Sequence, residues 1–273
     1  PLLLHALHTG NARYLNEWAM SLPVLEPGTT FFNFTASHDG VGVRPLEGLI
    51  PDEEFAGLLE AVQKRGGHVS TKRNTDGSES PYELNISYFD ALSSPGKRVS
   101  PLDISRFLCS QTVALSLKGI PGIYFHSLMG TRNDYDGVER YGYPRAINRH
   151  RWDYEAFSKM LSNRSRTKSR IFQRYTHLLR VRREEAAFHP DGLQSVLNLG
   201  PELFALARVA PEGGETVVAV HNLQAAEVRV ARKEVSRLRD GAWHDLIADA
   251  PLPSDADTLV LEPYQCVWLK QQT

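Results

Sequence analysis

A short apolar run that ends in a histidine and an aspartate restricts the fold of this chain more than any other feature. Residues 31–34 read Phe-Phe-Asn-Phe, which is typical of a strand buried on both faces. His38 and Asp39 follow, and Gly40 and Gly42 allow the backbone to turn away from the strand. We therefore expect an imidazole and a carboxylate at the C-terminal end of a buried strand, where α/β barrels and doubly wound sheets bind ligands. The alternative is that both residues only form the next turn.

Helical periodicity on either side of this strand predicts repeated β/α units. Two parallel strands need a crossover between them, usually a helix, so this order of elements predicts an α/β fold. The polar segment 74–80 is expected to join two strands that pair with each other. Predicted helices cover 2–8, 12–22, 51–65, 101–118, 153–161 and 167–187, and predicted strands cover 31–34, 68–71, 82–87 and 120–125.

The pattern changes from about Leu193 onward, where apolar and polar residues alternate. Alternation is typical of half-buried strands, and the glycine pair within segment 210–214 is a hairpin signal. We therefore expect a boundary here, with residues 1–190 as one domain and residues 191–273 as a small antiparallel β-domain. Predicted strands of this second domain cover 204–209, 216–222, 227–231 and 258–270.

Composition narrows the possible partners of the chain. The formal net charge is −1, so no overall field favours nucleic acid or an anionic membrane. The basic run 164–170 is short, and we expect it to form a solvated linker and helix face. No apolar run reaches the roughly 20 residues of a membrane span, and the scattered histidines show no metal-ligand spacing. We therefore expect no nucleic acid, membrane, metal or cofactor.

The chain has two cysteines, Cys109 and Cys266, and each lies in an apolar context. This pattern predicts no disulfide framework, which fits a reducing, cytoplasmic location. The chain begins at Pro1 instead of Met, which fits a piece of a longer protein.

Four stretches carry a more specific signal than periodicity does. They are 33–44 (NFTASHDGVGVR), 81–92 (PYELNISYFDAL), 119–125 (GIPGIYF) and the loop 129–140 (MGTRNDYDGVER) with the motif RAINR at 145–149. The first resembles the fourth signature region of the α-amylase superfamily, and the third resembles the Gly-Ile-Pro motif near its last barrel strand. The second and the fourth resemble a tyrosine-rich stretch and an Arg-x-Ile-Asn-Arg motif of the sucrose phosphorylase-like branch of that superfamily.

This resemblance implies a fold and a set of site residues. The fold would be the C-terminal part of a (β/α)8 TIM barrel over residues 1–190, followed by the small antiparallel β-domain. Asp39 would be a catalytic carboxylate that stabilises positive charge in the transition state, while His38 and Arg145 would contact the glucosyl unit. A substrate-binding loop near the acceptor and phosphate subsite would contain Arg132, Asn133, Asp134 and Tyr135.

The activity implied by the resemblance is phosphorolysis of an α-glucoside with retention, which gives α-glucose 1-phosphate. The partners would be the α-glucoside, inorganic phosphate and the upstream half of the same barrel. In this family the nucleophilic Asp and the acid/base Glu lie upstream of the fourth signature region, and neither signature precedes Thr30. We therefore expect this chain to be a C-terminal portion without those two carboxylates, and inactive alone.

Other functions remain open at the level of sequence. One alternative is a hydrolase or transglucosidase of the same superfamily, and another is a non-catalytic carbohydrate-binding fragment. Sucrose, sucrose 6′-phosphate, glucosylglycerate and glucosylglycerol are all substrates within the branch. The run 44–48 (RPLEG) points slightly away from sucrose.

Overall fold

The computed structural model describes residues 1–96, 98–235, 241–252 and 257–272. The α-helices are α1 (Leu2–Thr9), α2 (Arg13–Met20), α3 (Asp52–Lys64), α4 (Tyr88–Leu92), α5 (Pro101–Ser116), α6 (Phe125–Leu128), α7 (Tyr135–Tyr141), α8 (Tyr154–Ser162) and α9 (Thr167–Glu184). The strands are β1 (Phe32–Asn33), β2 (Val41–Gly42), β3 (His68–Arg73), β4 (Glu79–Asn85), β5 (Ile120–Pro121), β6 (Leu193–Leu197), β7 (Leu203–Val209), β8 (Thr216–Asn222), β9 (Val228–Ala231), β10 (Trp243–Asp245), β11 (Ala250–Leu252), β12 (Thr258–Leu261) and β13 (Cys266–Gln271). Within these described ranges, no helix is both long and apolar enough to cross a membrane.

The predicted helices are confirmed, and α5 shows how local signals determine one. Its N-cap residue Ser100 accepts a hydrogen bond from the backbone N–H of Asp103, and the Asp103 carboxylate accepts one from the backbone N–H of Ser100. This capping box satisfies two donors at the start of the helix, and Pro101 in the first turn needs no hydrogen-bond partner there. The helix therefore begins where the sequence predicts.

The predicted pair of strands around the 74–80 turn is also confirmed. β3 and β4 pair antiparallel, and β2 adds a third strand on the other side of β4, with Val41 opposite Leu84. This third strand was not predicted. A Cβ atom added at Gly40 would overlap the carbonyl oxygen of Leu84, so only glycine allows this close approach. The sheet therefore brings β4 next to the turn that contains His38 and Asp39.

The two predicted buried strands at 31–34 and 120–125 are wrong in their length and burial. β1 and β5 are two residues long and pair in parallel, with Phe32 opposite Ile120. The side chains of Phe32 and Phe34 are 66% and 56% exposed, and Ile120 is 49% exposed. Each strand has one neighbouring strand in the described part of the chain, so no second strand pairs with its other edge there. Beyond Pro121 the chain leaves the strand, and Phe125 begins α6.

We expect the chain expressed alone to self-associate through this exposed surface. An unpaired strand edge beside apolar side chains favours pairing with another chain, and a mostly apolar cavity of about 330 Å³ lies between this surface and α1 and α2. Changing Phe32 and Phe34 to Ser should lower the associated fraction measured by size exclusion with light scattering. Val24→Ser is the matched control, because Val24 is fully exposed. A monodisperse, cooperatively unfolding monomer of the unchanged chain would contradict this expectation.

The described residues of the C-terminal segment form two antiparallel sheets. One has the order β11-β10-β13-β8-β7-β6, and the other contains β9 and β12. The predicted strand 258–270 is wrong as one element, because it divides into β12 and β13 in different sheets. Pro263 has no N–H to donate, and Tyr264 has a positive φ of 57°. The backbone therefore turns between the end of β12 and the start of β13.

The central strands of the larger sheet are buried on both faces, not half-buried as alternation predicts. In β7, Phe204 and Leu206 belong to a core shared with α1, α5 and α9, whereas Ala205 and Ala207 belong to a second core within the C-terminal segment. Trp268 of β13 joins the first core. The larger core therefore contains residues from both sides of position 190, and the division of the chain into two domains stays a prediction.

Two arginines attach the end of α5 to this sheet and to the start of β5. Arg208 is buried and donates to the carbonyl oxygens of Ser116 and His189, each at 3.0 Å, and burial lowers its pKa to about 10. Arg182 donates to the carbonyl oxygens of Leu115 and Gly119, each at 2.8 Å. Because β5 pairs with β1, these contacts also support the strand that leads to Asp39.

Candidate active site

Asp39 lies in the turn after β1, next to two arginines. One of its carboxylate oxygens, Oδ1, is 3.1 Å from Arg145 Nη1 and 3.1 Å from Arg149 Nη2. Arg145 lies within the 3-10 helix Pro144–Asn148 and Arg149 directly follows it, so the predicted Arg-x-Ile-Asn-Arg motif presents two guanidinium groups to one oxygen. The Asp39 side chain is 40% exposed. The carboxylate is therefore held in place but stays accessible to a ligand.

The same motif also holds the backbone of the turn. Arg149 Nε donates to the carbonyl oxygen of His38 at 2.7 Å. Asn148 Nδ2 donates to the carbonyl oxygens of Ser37 and Asp39 at 2.7 and 3.1 Å. These bonds join segments that are more than a third of the chain apart, so they position the turn independently of its local sequence.

Tyr124 supports this arrangement from the segment after β5. Its hydroxyl donates to the carbonyl oxygen of Asn148 at 2.7 Å. Burial raises the pKa of Tyr124 to about 12, so the hydroxyl keeps its proton, and remains a donor, at neutral pH. The Gly-Ile-Pro stretch therefore contributes a contact to the site as well as a strand.

His38 lies on the exposed side of the turn. Its Nε2 atom is 3.6 Å from Asp39 Oδ1, and most of its side chain is exposed. The structure thus brings together His38, Asp39 and Arg145, as the sequence predicts. Their roles toward a substrate stay predictions.

Glu83 of β4 is a member of the site that sequence reasoning missed. Arg145 donates from Nε to Glu83 Oε1 at 2.9 Å and from Nη2 to Glu83 Oε2 at 2.8 Å. Asn85 Nδ2 donates to Oε1 as well. This bidentate pair raises the pKa of Arg145 through its hydrogen bonds to Glu83, and Glu83 itself is buried. Arg145 therefore bridges a buried carboxylate and the accessible carboxylate of Asp39.

The predicted substrate-binding loop is anchored to the start of α4. The buried carboxylate of Asp90 accepts hydrogen bonds from Arg132 Nε and from the backbone N–H of Asn133, each at 2.7 Å. Asn133 Oδ1 accepts one from the backbone N–H of Ser87 at 2.8 Å. These contacts fix the loop on the protein. Asp90 was not among the predicted site residues, and no local pattern identifies it as an anchor.

Asp134 connects the loop to the turn that carries Arg145. Its backbone N–H donates to the carbonyl oxygen of Ile147 at 2.8 Å, and its carboxylate accepts from the backbone N–H of Gly137 at 3.0 Å as the cap of α7. The other carboxylate oxygen is 3.3 Å from His150 Nδ1. Tyr135, the next residue, is largely exposed. The predicted site residues therefore form two groups, one around Asp39 and one around Asp134. The hydrogen bond from the backbone N–H of Asp134 to the carbonyl oxygen of Ile147 links the two groups.

The geometry limits what the two carboxylates near Arg145 can do. Retaining glycoside chemistry needs a nucleophilic carboxylate and an acid/base carboxyl about 5–5.5 Å apart. Glu83 is buried and both of its oxygens are engaged, so it is not free to exchange a proton with a substrate. Asp39 is accessible and fixed, which suits a charge that stabilises a developing positive charge. Among the described residues of this group, Asp39 is therefore the carboxylate that stays accessible, and neither the nucleophile nor the acid/base is assigned to it.

Comparison with known proteins identifies the family. No family model matches the chain. It is 38% identical over 270 residues to glucosylglycerate phosphorylase from Allomeiothermus silvanus. The aligned region covers 98% of this chain and 45% of that protein. It is 35% identical over 272 residues to glucosylglycerate phosphorylase from Escherichia coli strain K12, covering 99% and 46%. The chain belongs to the sucrose phosphorylase-like branch of the α-amylase superfamily.

A solved structure supports the fold of this branch. The crystal structure of sucrose 6F-phosphate phosphorylase from Thermoanaerobacter thermosaccharolyticum superposes with a TM-score of 0.67 at 21% identity, over 81% of this chain and 42% of that chain. The chain therefore has an α/β fold like that of this phosphorylase, and it also contains an antiparallel sheet region. It spans about half the length of the curated relatives that it matches.

Membership in the branch confirms the resemblance inferred from the four stretches. Arg149 and Asn148 belong to the recognised Arg-x-Ile-Asn-Arg motif, yet sequence reasoning assigned a role to Arg145 alone. The presence of two arginines in one motif was the available signal for Arg149. For Glu83 there was no such signal, because its partner is 62 residues away.

Proposed function

We propose that this chain is the C-terminal portion of a retaining glycoside phosphorylase. The complete protein would transfer a glucosyl group from an α-glucoside to inorganic phosphate, releasing the acceptor and α-glucose 1-phosphate. The observation that carries the proposal is the accessible Asp39 carboxylate, held by Arg145 and Arg149 in a chain of this branch. Neither the nucleophilic carboxylate nor the acid/base carboxyl is assigned to any of the described residues.

The proposal gives each predicted residue a role. Asp39 stabilises the oxocarbenium-like transition state, and its fixed position means that little reorganisation is needed when charge develops. His38 and Arg145 contact the glucosyl unit. The loop of Arg132, Asn133, Asp134 and Tyr135 lies at the acceptor and phosphate subsite.

The remaining catalytic groups would come from the preceding part of the same protein. That segment would supply the nucleophilic Asp, the acid/base Glu and the other strands of a (β/α)8 barrel, with β1 and β5 as its last two strands. The exposed faces of Phe32 and Ile120 support this arrangement, because such faces are covered in a closed barrel. We propose a cytoplasmic location for the complete protein.

Glucosylglycerate is the substrate that we favour. Its phosphorylases are the relatives that match at 35–42% identity, whereas a sucrose phosphorylase from Streptococcus mutans matches at 24%. The 44–48 run, which points away from sucrose, is consistent with this choice.

The test uses the complete protein with glucosylglycerate or sucrose, in phosphate buffer and in a phosphate-free buffer. We expect α-glucose 1-phosphate, identified with its anomeric configuration by NMR, and faster turnover of glucosylglycerate than of sucrose. Release of glucose at the same rate with or without phosphate would instead show a hydrolase. A β-configured product would overturn the retaining mechanism.

A further inference from the structure

Cys109 and Cys266 are distant in sequence but meet between α5 and the larger C-terminal sheet. Both are free thiols, and Cys109 is buried. Cys266 packs against the hydrophobic core that contains Cys109, and both cysteines line one cavity together with Thr112. Thr112 lies three residues after Cys109, on the same face of α5. Cys266 therefore faces the helix at the level of Cys109.

Contacts with β8 also bring the two cysteines to the same end of that strand. Cys109 Sγ is 3.5 Å from the carbonyl oxygen of Asn222. The backbone N–H of Asn222 donates to the carbonyl oxygen of Gln265 at 2.9 Å, and Cys266 is paired with His221 across the sheet. Both cysteines thus contact the same end of β8.

A cavity of about 620 Å³ gives small molecules access to this pair. It lies between α5, α9 and the sheet, and both cysteines line it. Charged and titratable groups face it from three sides: Arg174 and His177 from α9, Asp245 from β10, and Glu262 from the turn before β13. No role in the proposed phosphorolysis falls on this cavity, whose lining contains none of the residues assigned to that reaction.

We propose that Cys109 and Cys266 are an oxidative modification site that forms an intramolecular disulfide between α5 and β13. With a small peroxide as the oxidant, one thiolate attacks the peroxide oxygen, a sulfenic acid forms and hydroxide leaves. The second thiolate then attacks that sulfur, the S–S bond forms, and a second hydroxide leaves. The two thiol protons neutralise both hydroxides, so two thiols and hydrogen peroxide give one disulfide and two waters.

The surroundings predict that this reaction is slow at neutral pH. Burial, together with the neighbouring Cys109 thiol and Asp245, raises the pKa of Cys266 well above its usual value. The thiolate is the reactive form, so its small fraction at neutral pH limits the rate. Below the pKa of Cys266, each decrease of one pH unit should lower the rate of oxidation about tenfold. Oxidation is therefore expected to be faster in alkaline buffer, and reduction of the formed bond is expected to need a reductant that enters the cavity.

The disulfide should stabilise the chain, because it closes a long loop in the unfolded state. We expect the melting temperature of the full chain to rise by about 5 °C on oxidation. The single variants Cys109→Ser and Cys266→Ser each keep one thiol. Neither variant should show this rise after the same treatment.

The direct test is peptide mapping of the full chain after peroxide treatment at about pH 7 and about pH 9. We expect the peptides that contain Cys109 and Cys266 to be linked, with a mass two hydrogen atoms below their sum, and to separate after reduction. Cross-linked dimers on a non-reducing gel, or sulfinic and sulfonic acids without linkage, would overturn the proposal. Linkage without any rise in melting temperature would overturn its stabilising effect.

Discussion

Expressed alone and supplied with phosphate and an α-glucoside, the chain is expected to release glucose 1-phosphate no faster than buffer does. The reason is that the described site provides Asp39 as its accessible carboxylate, while the neighbouring Glu83 is buried and bound to Arg145 on both oxygens. Loss of a nucleophile or an acid/base group typically lowers turnover by several powers of ten. We therefore expect at least about a 10³-fold deficit relative to the complete protein.

The comparison requires the complete protein as a positive control in the same coupled assay for glucose 1-phosphate. Circular dichroism of the chain alone should first show that its helices and sheets have formed, so that a lack of turnover is not simply a lack of folding. Measurable turnover by the folded chain would contradict our reading of the site. In that case Glu83→Gln should be made next, because Glu83 would be the first carboxylate to reconsider.

Elements with strong local signals could be predicted from the sequence. The start of α5 follows from Ser100, Pro101 and Asp103, which are close in sequence and satisfy one another. The β3–β4 pair follows from two strand patterns around a short polar turn. In both cases the interactions that determine the element lie within about twenty residues.

Burial and strand length could not be predicted in the same way, because they depend on distant neighbours. The apolar run 31–34 reads as a buried strand, but Phe32 is exposed because β1 has a single neighbouring strand in the described chain. The apolar pattern itself is consistent with strands that are covered in the complete protein. Likewise, 258–270 reads as one strand until the positive φ of Tyr264 separates two sheets.

The site residues also divide into those that local motifs predict and those that depend on distant partners. His38, Asp39 and Arg145 lie in motifs that are recognisable from sequence alone, and the structure places them together. Glu83 and Asp90 could not be assigned, because a carboxylate becomes a positioning group only when its partner is known. Their partners, Arg145 and Arg132, lie 62 and 42 residues away.

In the complete protein, Asp39→Asn is expected to lower kcat by about 10²–10³, with KM changed by less than about threefold. Asparagine keeps the shape of the side chain and can still accept a hydrogen bond from Arg145 or Arg149. It removes the negative charge, whose partner is the positive charge that develops only in the transition state. The loss should therefore be seen in the chemical step, which single-turnover kinetics can measure.

The melting temperature of the variant distinguishes a catalytic effect of Asp39→Asn from a structural one. Asp39 is 40% exposed, so its ion pairs should contribute no more than about 1 kcal/mol to the free energy of unfolding. Glu83→Gln is the matched control, because Glu83 contacts the same guanidinium but is buried. We expect Glu83→Gln to lower the melting temperature and Asp39→Asn to leave it nearly unchanged, since breaking a buried pair leaves Arg145 without its bidentate partner. Near-normal turnover with a raised KM for Asp39→Asn would instead assign Asp39 to ground-state binding.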